Sequence, residues 1–475
     1  MSLFKDTFFY SLAKWGHRLS TIILAPFIIR YFTPQQYGYM SLINTLGAFF
    51  AMIGMLAIVD QGLPRFFIDT DDLFEKQSYA STSLLISGVG ILVMTGIILA
   101  GYPLIPLFFE EIQAPFLFCL LTALVGLGHS MRHVGGNMLK WTFQSARFTR
   151  ITLVQALTIL CLTICGMLVW KWRANGAILI ASTVTLICGI WAISYSKQYL
   201  KLSTFSKPKS KELIAYSWPL LGLNIFAFFT RSLDRLFLAA LTSLGTVGIF
   251  AVASAVASLF ETLLAGFFFA WGPFILSTFR KPESPQRYAD FFGVTACIGL
   301  MSIVTLGFWG SPVVMLLRPE GTYLEIGVYI PWIVSGALLY YLGGYFTPGP
   351  NIVKKTYWKF LGFVLAAALN AILNYLLIPR LGILGAGLAT TAASLAAAIF
   401  NITVSNRLYY IPLKWHLAFS VILLYAATVS YIQYTGTFYL SLYSRFFATI
   451  CMMGIALLIY QRDIKASKIL QIVWK

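Results

Sequence analysis

The sequence predicts an all-α, polytopic membrane protein, and three observations carry that expectation. Of 475 residues, 59% are hydrophobic and only 11% are charged, against about 25% charged in an ordinary soluble domain. Apolar runs of about 20 residues recur along the whole chain, each long enough at 1.5 Å per residue to cross about 30 Å of hydrocarbon. The short alternating strands of a membrane barrel are missing from the pattern. The spans are therefore expected to be helices that satisfy their own backbone groups.

Fourteen such spans follow one another, at roughly 8 to 32, 38 to 60, 79 to 102, 115 to 138, 149 to 170, 175 to 196, 214 to 237, 244 to 276, 289 to 310, 326 to 346, 358 to 379, 384 to 406, 415 to 435 and 443 to 461. The first is too long and too charged for a signal-peptide core and is expected to be retained. All six cysteines (Cys119, Cys161, Cys165, Cys188, Cys297, Cys451) fall inside spans without metal-ligand spacing, so they read as small packing residues. No cofactor or metal motif is present.

Lys and Arg in short loops stay on the cytoplasmic side. With the N-terminus inside, about 23 of the 34 basic residues fall there, so both termini are expected to be cytoplasmic and the protein to lie in a bacterial inner membrane among its lipids. The formal net charge of +18 is then topological asymmetry and calls for no nucleic-acid partner.

The longest extramembrane stretch, KQYLKLSTFSKPKSKEL at 197–213, is polar, basic and interrupted by proline, as a linker between two membrane halves should be. The halves also match at a nearly constant offset. Tyr37-Gly38-Tyr39 opens span 2 and Val247-Gly248-Ile249 opens span 8, about 210 residues later. Asn175-Gly176-Ala177 opens span 6 and Leu384-Gly385-Ala386 opens span 12, about 209 residues later. Six helices separate each pair, so the two halves share one orientation, and a parallel repeat of this kind places a substrate site between them. The expected organisation is an N-terminal lobe over 1–196, a linker over 197–213, a C-terminal lobe over 214–406, and helices 13 and 14 with a tail over 407–475.

Charges inside spans are costly, about 2.5 to 3.5 kcal/mol each at a helix centre on insertion scales, and usually face a wet cavity or a partner. Lys14 and Arg18 stand at i,i+4 on span 1 with His17 beside them. His129, Arg132 and His133 form one stripe on span 4, followed by Asn137 and Lys140. Arg231, Asp234 and Arg235 lie within one turn of span 7 with Asn224 two turns earlier, span 8 adds Glu261, and span 2 ends at Asp60 with Arg65 at its cytoplasmic mouth. The surplus is positive. A cavity lined by Lys14, Arg18, Arg132, Arg231 and Arg235 would favour an anion, and the guanidinium fork matches phosphate oxygens. Asp60, Asp234, Glu261, His17, His129 and His133 are candidates for ion coupling or for salt bridges.

Several stretches resemble the Wzx-type flippases, the polysaccharide-transport branch of the multidrug/oligosaccharidyl-lipid/polysaccharide (MOP) exporter superfamily. They are Pro26 to Gly38 (PFIIRYFTPQQYG), Val59 to Phe66 (VDQGLPRF), Asp234 to Leu238 (DRLFL), Ala270 to Phe274 (AWGPF) and, most specifically, Asn370 to Thr390 (NAILNYLLIPRLGILGAGLAT). The resemblance implies two six-helix lobes of the MATE/MOP type. It also implies movement of an undecaprenyl-diphosphate-linked oligosaccharide from the cytoplasmic to the periplasmic leaflet by alternating access, for surface polysaccharides such as O-antigen, capsule or exopolysaccharide. H+ or Na+ would be the coupling ion, and a polymerase and glycosyltransferases would be neighbours in the pathway. Two alternatives stand beside it. A multidrug exporter of the same superfamily would want an acidic cavity for cationic drugs. A membrane-embedded enzyme acting on the same lipid would want catalytic groups on sizeable outer loops, and these loops are short; Glu110, Glu111, Glu320 and Glu325 on them read as solvated acids.

Overall fold

The computed structural model describes residues 3–317, 323, 325–345, 347–353, 355, 357–413 and 443–454. The helices are α1 (Leu3–Tyr31), α2 (Pro34–Gly54), α3 (Leu63–Ile68), α4 (Leu73–Ala100), α5 (Ile105–Phe108), α6 (Pro115–Trp141), α7 (Ser145–Leu168), α8 (Ala174–Ser194), α9 (Lys207–Leu241), α10 (Leu244–Thr278), α11 (Ser284–Leu317), α12 (Ile326–Tyr345), α13 (Gly349–Ile352), α14 (Tyr357–Leu381), α15 (Ile383–Leu408) and α16 (443–454). Ten of them are long and apolar enough to span a membrane, eleven when α2 and the bent segment after it count as one; α1, with Lys14, His17 and Arg18 inside it, is not among them. Every span expected between 8 and 406 has its helix. The thirteenth lies outside the described residues, and α16 covers the first part of the fourteenth.

The chain divides into two compact units, Met1–Gly248 and Ile249–Lys475. In the first, α6 packs along α8, α1 along α7, and α2 and α4 against α6 and α9. The α6–α8 approach depends on glycine: a Cβ on Gly135 would stand 2.7 Å from the Gly189 carbonyl oxygen, and one on Gly189 would reach 2.5 Å from the Arg132 backbone nitrogen. Such small-residue contacts let backbones meet where lipid supplies no hydrophobic drive between helices. Helix α1 is tied to α7 by Thr149 Oγ1 donating to the Phe9 carbonyl (2.8 Å) and by the edge-on Tyr10 and Phe148 rings, 5.4 Å apart.

The repeat read from the sequence is visible in local structure. Thr33 caps α2 in a reciprocal box with Gln36, the arrangement that satisfies two orphan N–H donors at once. Two hundred and ten residues on, Ser243 Oγ accepts the Thr246 N–H (3.1 Å) at the start of α10. Gly38 packs on the Leu244 carbonyl and Gly248 packs on the Pro34 carbonyl, a reciprocal contact at the same offset. Helices α8 and α15 likewise begin at Ala174 and Ile383.

Span 2 differs from its expected continuous helix over 38–60. It breaks after Gly54, where Leu56 and Ala57 take positive φ of 53° and 55°, and resumes as one π-turn (Ile58–Gly62) leading into α3, bent by 60°. Ser87 Oγ of α4 donates to the Met55 carbonyl (3.4 Å), which also accepts the Ile58 N–H (3.0 Å). Left-handed backbone at two non-glycine residues is costly, about 1 to 3 kcal/mol each, and persists only where the surroundings over-determine it. The last residue of α2 stands in a close crossing with α4, where a Cβ on Gly90 would press on the Gly54 carbonyl.

The stretch 197–206 is not loose. It forms two short 3₁₀ turns, Lys197–Tyr199 and Leu202–Thr204, docked on α4: Ser81 Oγ accepts the Lys201 N–H (2.8 Å), Thr82 Oγ1 the Ser206 N–H (3.1 Å), and Gln77 donates to the Gln198 carbonyl (2.8 Å). The rest of the expected linker is the first two turns of α9, with Pro208 near the N-terminus where its missing N–H costs nothing.

In the second unit α15 packs on both α14 and α12, and α12 on α11. The buried Asn370 donates to Thr390 Oγ1 (3.0 Å) and accepts from Asn374 (2.9 Å), so the most family-like stretch of the sequence clasps α14 to α15. Trp309 of α11 donates to Thr449 of α16 (3.2 Å).

Candidate functional site

The polar residues expected inside the membrane gather mainly in the first unit. Arg132, on the α6 face turned to α7, donates Nε–H to Gln155 Oε1 (2.7 Å) and Nη2–H to Thr152 Oγ1, and its guanidinium lies over the Phe148 ring, 5.2 Å from the centroid. Gln155 is held in turn by donating to Thr185 of α8 (3.0 Å), and Thr152 by donating to the Phe148 carbonyl (2.8 Å). Arg132 has no carboxylate partner among the described residues. A half-buried guanidinium is thus oriented by neutral groups and keeps its full charge. Thr152 and Gln155 were not anticipated as site residues, although two polar side chains at i,i+3 on an otherwise apolar span are a readable signal.

Helix α1 adds cations near this centre. Lys14 and Arg18 act on each other electrostatically, and His17 feels both Arg18 and Arg132. Lys14 and His17 are exposed and Arg18 half-buried. On the next turns of α6, His133 Nδ1 meets the Asn137 carboxamide (3.0 Å), Asn137 Oδ1 accepts from Lys140 (3.3 Å), and Lys140 also lies over Phe148, 5.4 Å from its centroid.

The break in span 2 brings Asp60 toward α6, where its charge acts on both His133 and Lys140. Between them lies a cavity of about 200 Å³, walled by Ala48, Met52, Met55 and Ala57 and presenting Asp60, His129, His133 and, from α9, Asn224. The two histidines keep accessible surface although neighbouring atoms surround them closely.

The remaining expected residues lie elsewhere. Arg231 is exposed, Asp234 is buried at 4% exposure and Arg235 is half-buried, all on α9, and Arg235 acts on Tyr37. Glu261 belongs to the second unit. Arg65 is engaged by Asp69 one turn on (2.8 Å), in the open. Two loop acids expected to be merely solvated have partners: Glu111 accepts the Leu244 N–H (2.8 Å), an orphan donor at the start of α10, and Glu325 accepts the Tyr329 side-chain hydroxyl one turn on (2.8 Å). Glu320 lies outside the described residues. Among the described residues no cluster of His, Cys, Asp and Glu is arranged to hold a metal ion.

This fold is shared by solved transporters. The structure is similar to lipid II flippase MurJ in an inward closed conformation, with a TM-score of 0.73 at 13% identity over 96% of this chain and 99% of that one. It is similar to an inward-facing multidrug resistance MATE family transporter of the MOP superfamily, with a TM-score of 0.60 at 15% identity, covering 86% of this chain and 94% of that one. A point mutant of the Vibrio cholerae MATE transporter VcmN follows at 0.53 and 14% identity, over 84% and 98% of the two chains. No protein of curated function matches the sequence. The chain is therefore a multi-pass membrane protein with the helical fold of MOP transporters. A family model described as polysaccharide biosynthesis protein matches residues 27–308, and the chain belongs to that family.

Proposed function

We propose that the protein is a flippase for undecaprenyl-diphosphate-linked oligosaccharide repeat units, moving them from the cytoplasmic to the periplasmic leaflet for surface polysaccharide assembly. The observation that carries this reading is Arg132, a guanidinium inside the first unit that is oriented by Thr152, Gln155 and Phe148 and neutralised by no carboxylate among the described residues. Lys14 and Arg18 add to the same positive field. A charge so costly to bury is retained where it meets an anion. A diphosphate and its sugars could not cross hydrocarbon alone, and a wet basic groove replaces their hydration while the polyprenyl tail stays in lipid. The sign of the site argues against a cationic drug as cargo.

In this reading both termini are cytoplasmic, as the distribution of basic residues suggests, and Arg231 and Arg235 serve the outward half of the path. H+ or Na+ drives return of the empty carrier, and the polymerase and glycosyltransferases stand on either side of the transport step. Full-length protein in liposomes tests the proposal. Undecaprenyl-diphosphate-linked glycan placed in one leaflet should become accessible to a lectin or glycosidase on the other side without covalent change. Transport absent at all ion gradients, or a new covalent product, would overturn it.

A further inference from the structure

We infer that the cavity beneath the broken span 2 is a subsite for one sugar ring, the sugar directly attached to the diphosphate; this rests on the flippase reading and names which part of the substrate the cavity takes. Its polar lining is unspent. Among the described residues, Asp60, His129 and Asn224 have no hydrogen-bond partner, and His133 has one, through Nδ1 to Asn137. These side chains keep accessible surface, so their hydrogen-bonding capacity is open to water or to a ligand. Four of them converging on one space from three elements, the π-turn, α6 and α9, supply what ring hydroxyls need: two carboxylate oxygens as acceptors, imidazole nitrogens that donate or accept, and a carboxamide that does both.

Size narrows the occupant. A cavity of about 200 Å³ has the share of about six or seven waters at ~30 Å³ each, below the range of drug-sized sites. That is room for a single ring. The opposite wall is Ala48, Met52, Met55 and Ala57, apolar and adaptable where a sugar presents C–H groups. Ala57 is also one of the two residues held in left-handed backbone, so the strained break is part of the wall. Asp60 acts on His133 together with Lys140 and Arg132, so charges of both signs border the cavity and a neutral, hydroxyl-rich ring can pair with them. Arg132, whose charge also acts on His133, puts the proposed diphosphate site on the same helix as the cavity's histidines.

The test uses the full chain in nanodiscs and measures affinity for undecaprenyl diphosphate alone and for the same lipid bearing glucose, galactose, N-acetylglucosamine or N-acetylgalactosamine. At least one sugar-bearing lipid should bind tenfold or more tightly than the bare lipid. That gain should vanish in Asp60→Ala and in Ala48→Leu, which fills the cavity, while bare-lipid affinity stays unchanged and so reports intact folding. No gain with any of the four sugars, or a gain that survives both variants, overturns the subsite and leaves the flippase reading standing. A change in Na+ or pH dependence of binding in Asp60→Ala, with the sugar gain untouched, makes the cavity an ion site and also overturns it. Failure of wild-type protein to bind bare undecaprenyl diphosphate removes both readings.

Discussion

Replacing Arg132 by methionine separates a functional charge from a structural one. The substitution loses two hydrogen bonds from a charged donor, about 1.5 to 3 kcal/mol each. It also relieves the desolvation of a half-buried cation, an effective penalty of several kcal/mol. Thr152 keeps its bond to the Phe148 carbonyl and Gln155 its bond to Thr185, so only Gln155 Oε1 is orphaned, at about 1 to 3 kcal/mol. These terms oppose one another, and the net change in stability is expected to stay within about 2 kcal/mol. In a protein of 150–250 residues ~1 kcal/mol moves Tm by about 2–4 °C, and by less in a longer chain, so the melting temperature in detergent should fall by only a few degrees. Affinity for undecaprenyl diphosphate should drop tenfold or more, as loss of a charge-assisted contact worth about 1.5 to 3 kcal/mol implies. Arg132→Lys should recover part of it, because the charge returns without the fork. A fall in Tm beyond about 10 °C, or unchanged affinity, would refute the reasoning and make Arg132 a packing residue.

Gly248→Leu drives a side chain into the Pro34 carbonyl and should destabilise by about 1 to 3 kcal/mol or more, as overpacking does; a thermal melt reads it. Asn370→Leu removes the α14–α15 bond to Thr390 and the bond within α14 from Asn374, and should cost about 1 to 3 kcal/mol by orphaning buried partners, lowering Tm while bare-lipid affinity stays at the wild-type value. Thr33→Ala breaks the capping box of α2 and should cost about 1 kcal/mol, seen as faster amide exchange in the first turn of that helix.

Hydropathy made most of the spans from 8 to 406 legible, since length and apolarity are what a bilayer demands of a helix; α1, with Lys14, His17 and Arg18 inside it, falls short of that standard although it is a helix of 29 residues. The repeat was legible too, because Gly38 and Gly248 are needed for one reciprocal close contact. The break at Leu56 and Ala57 was not. Neither residue is Gly or Pro, so no local pattern records it. That break decides where Asp60 points, so its meeting with His129 and His133 could not be read from the sequence, although the two histidines at i,i+4 could. Thr152 and Gln155 were legible in principle as polar residues on an apolar helix, but only the structure shows that they orient Arg132 in place of a carboxylate.

The central claim is that unneutralised cations in the first unit hold a lipid diphosphate. Binding of undecaprenyl diphosphate and of uncharged undecaprenol to the purified full-length protein, in wild type and in Arg132→Gln, tests it most directly. The account predicts that wild type prefers the diphosphate tenfold or more and that the variant loses the preference by weakening only that ligand. Equal binding of the two lipids by wild type, or a preference untouched in the variant, would contradict it.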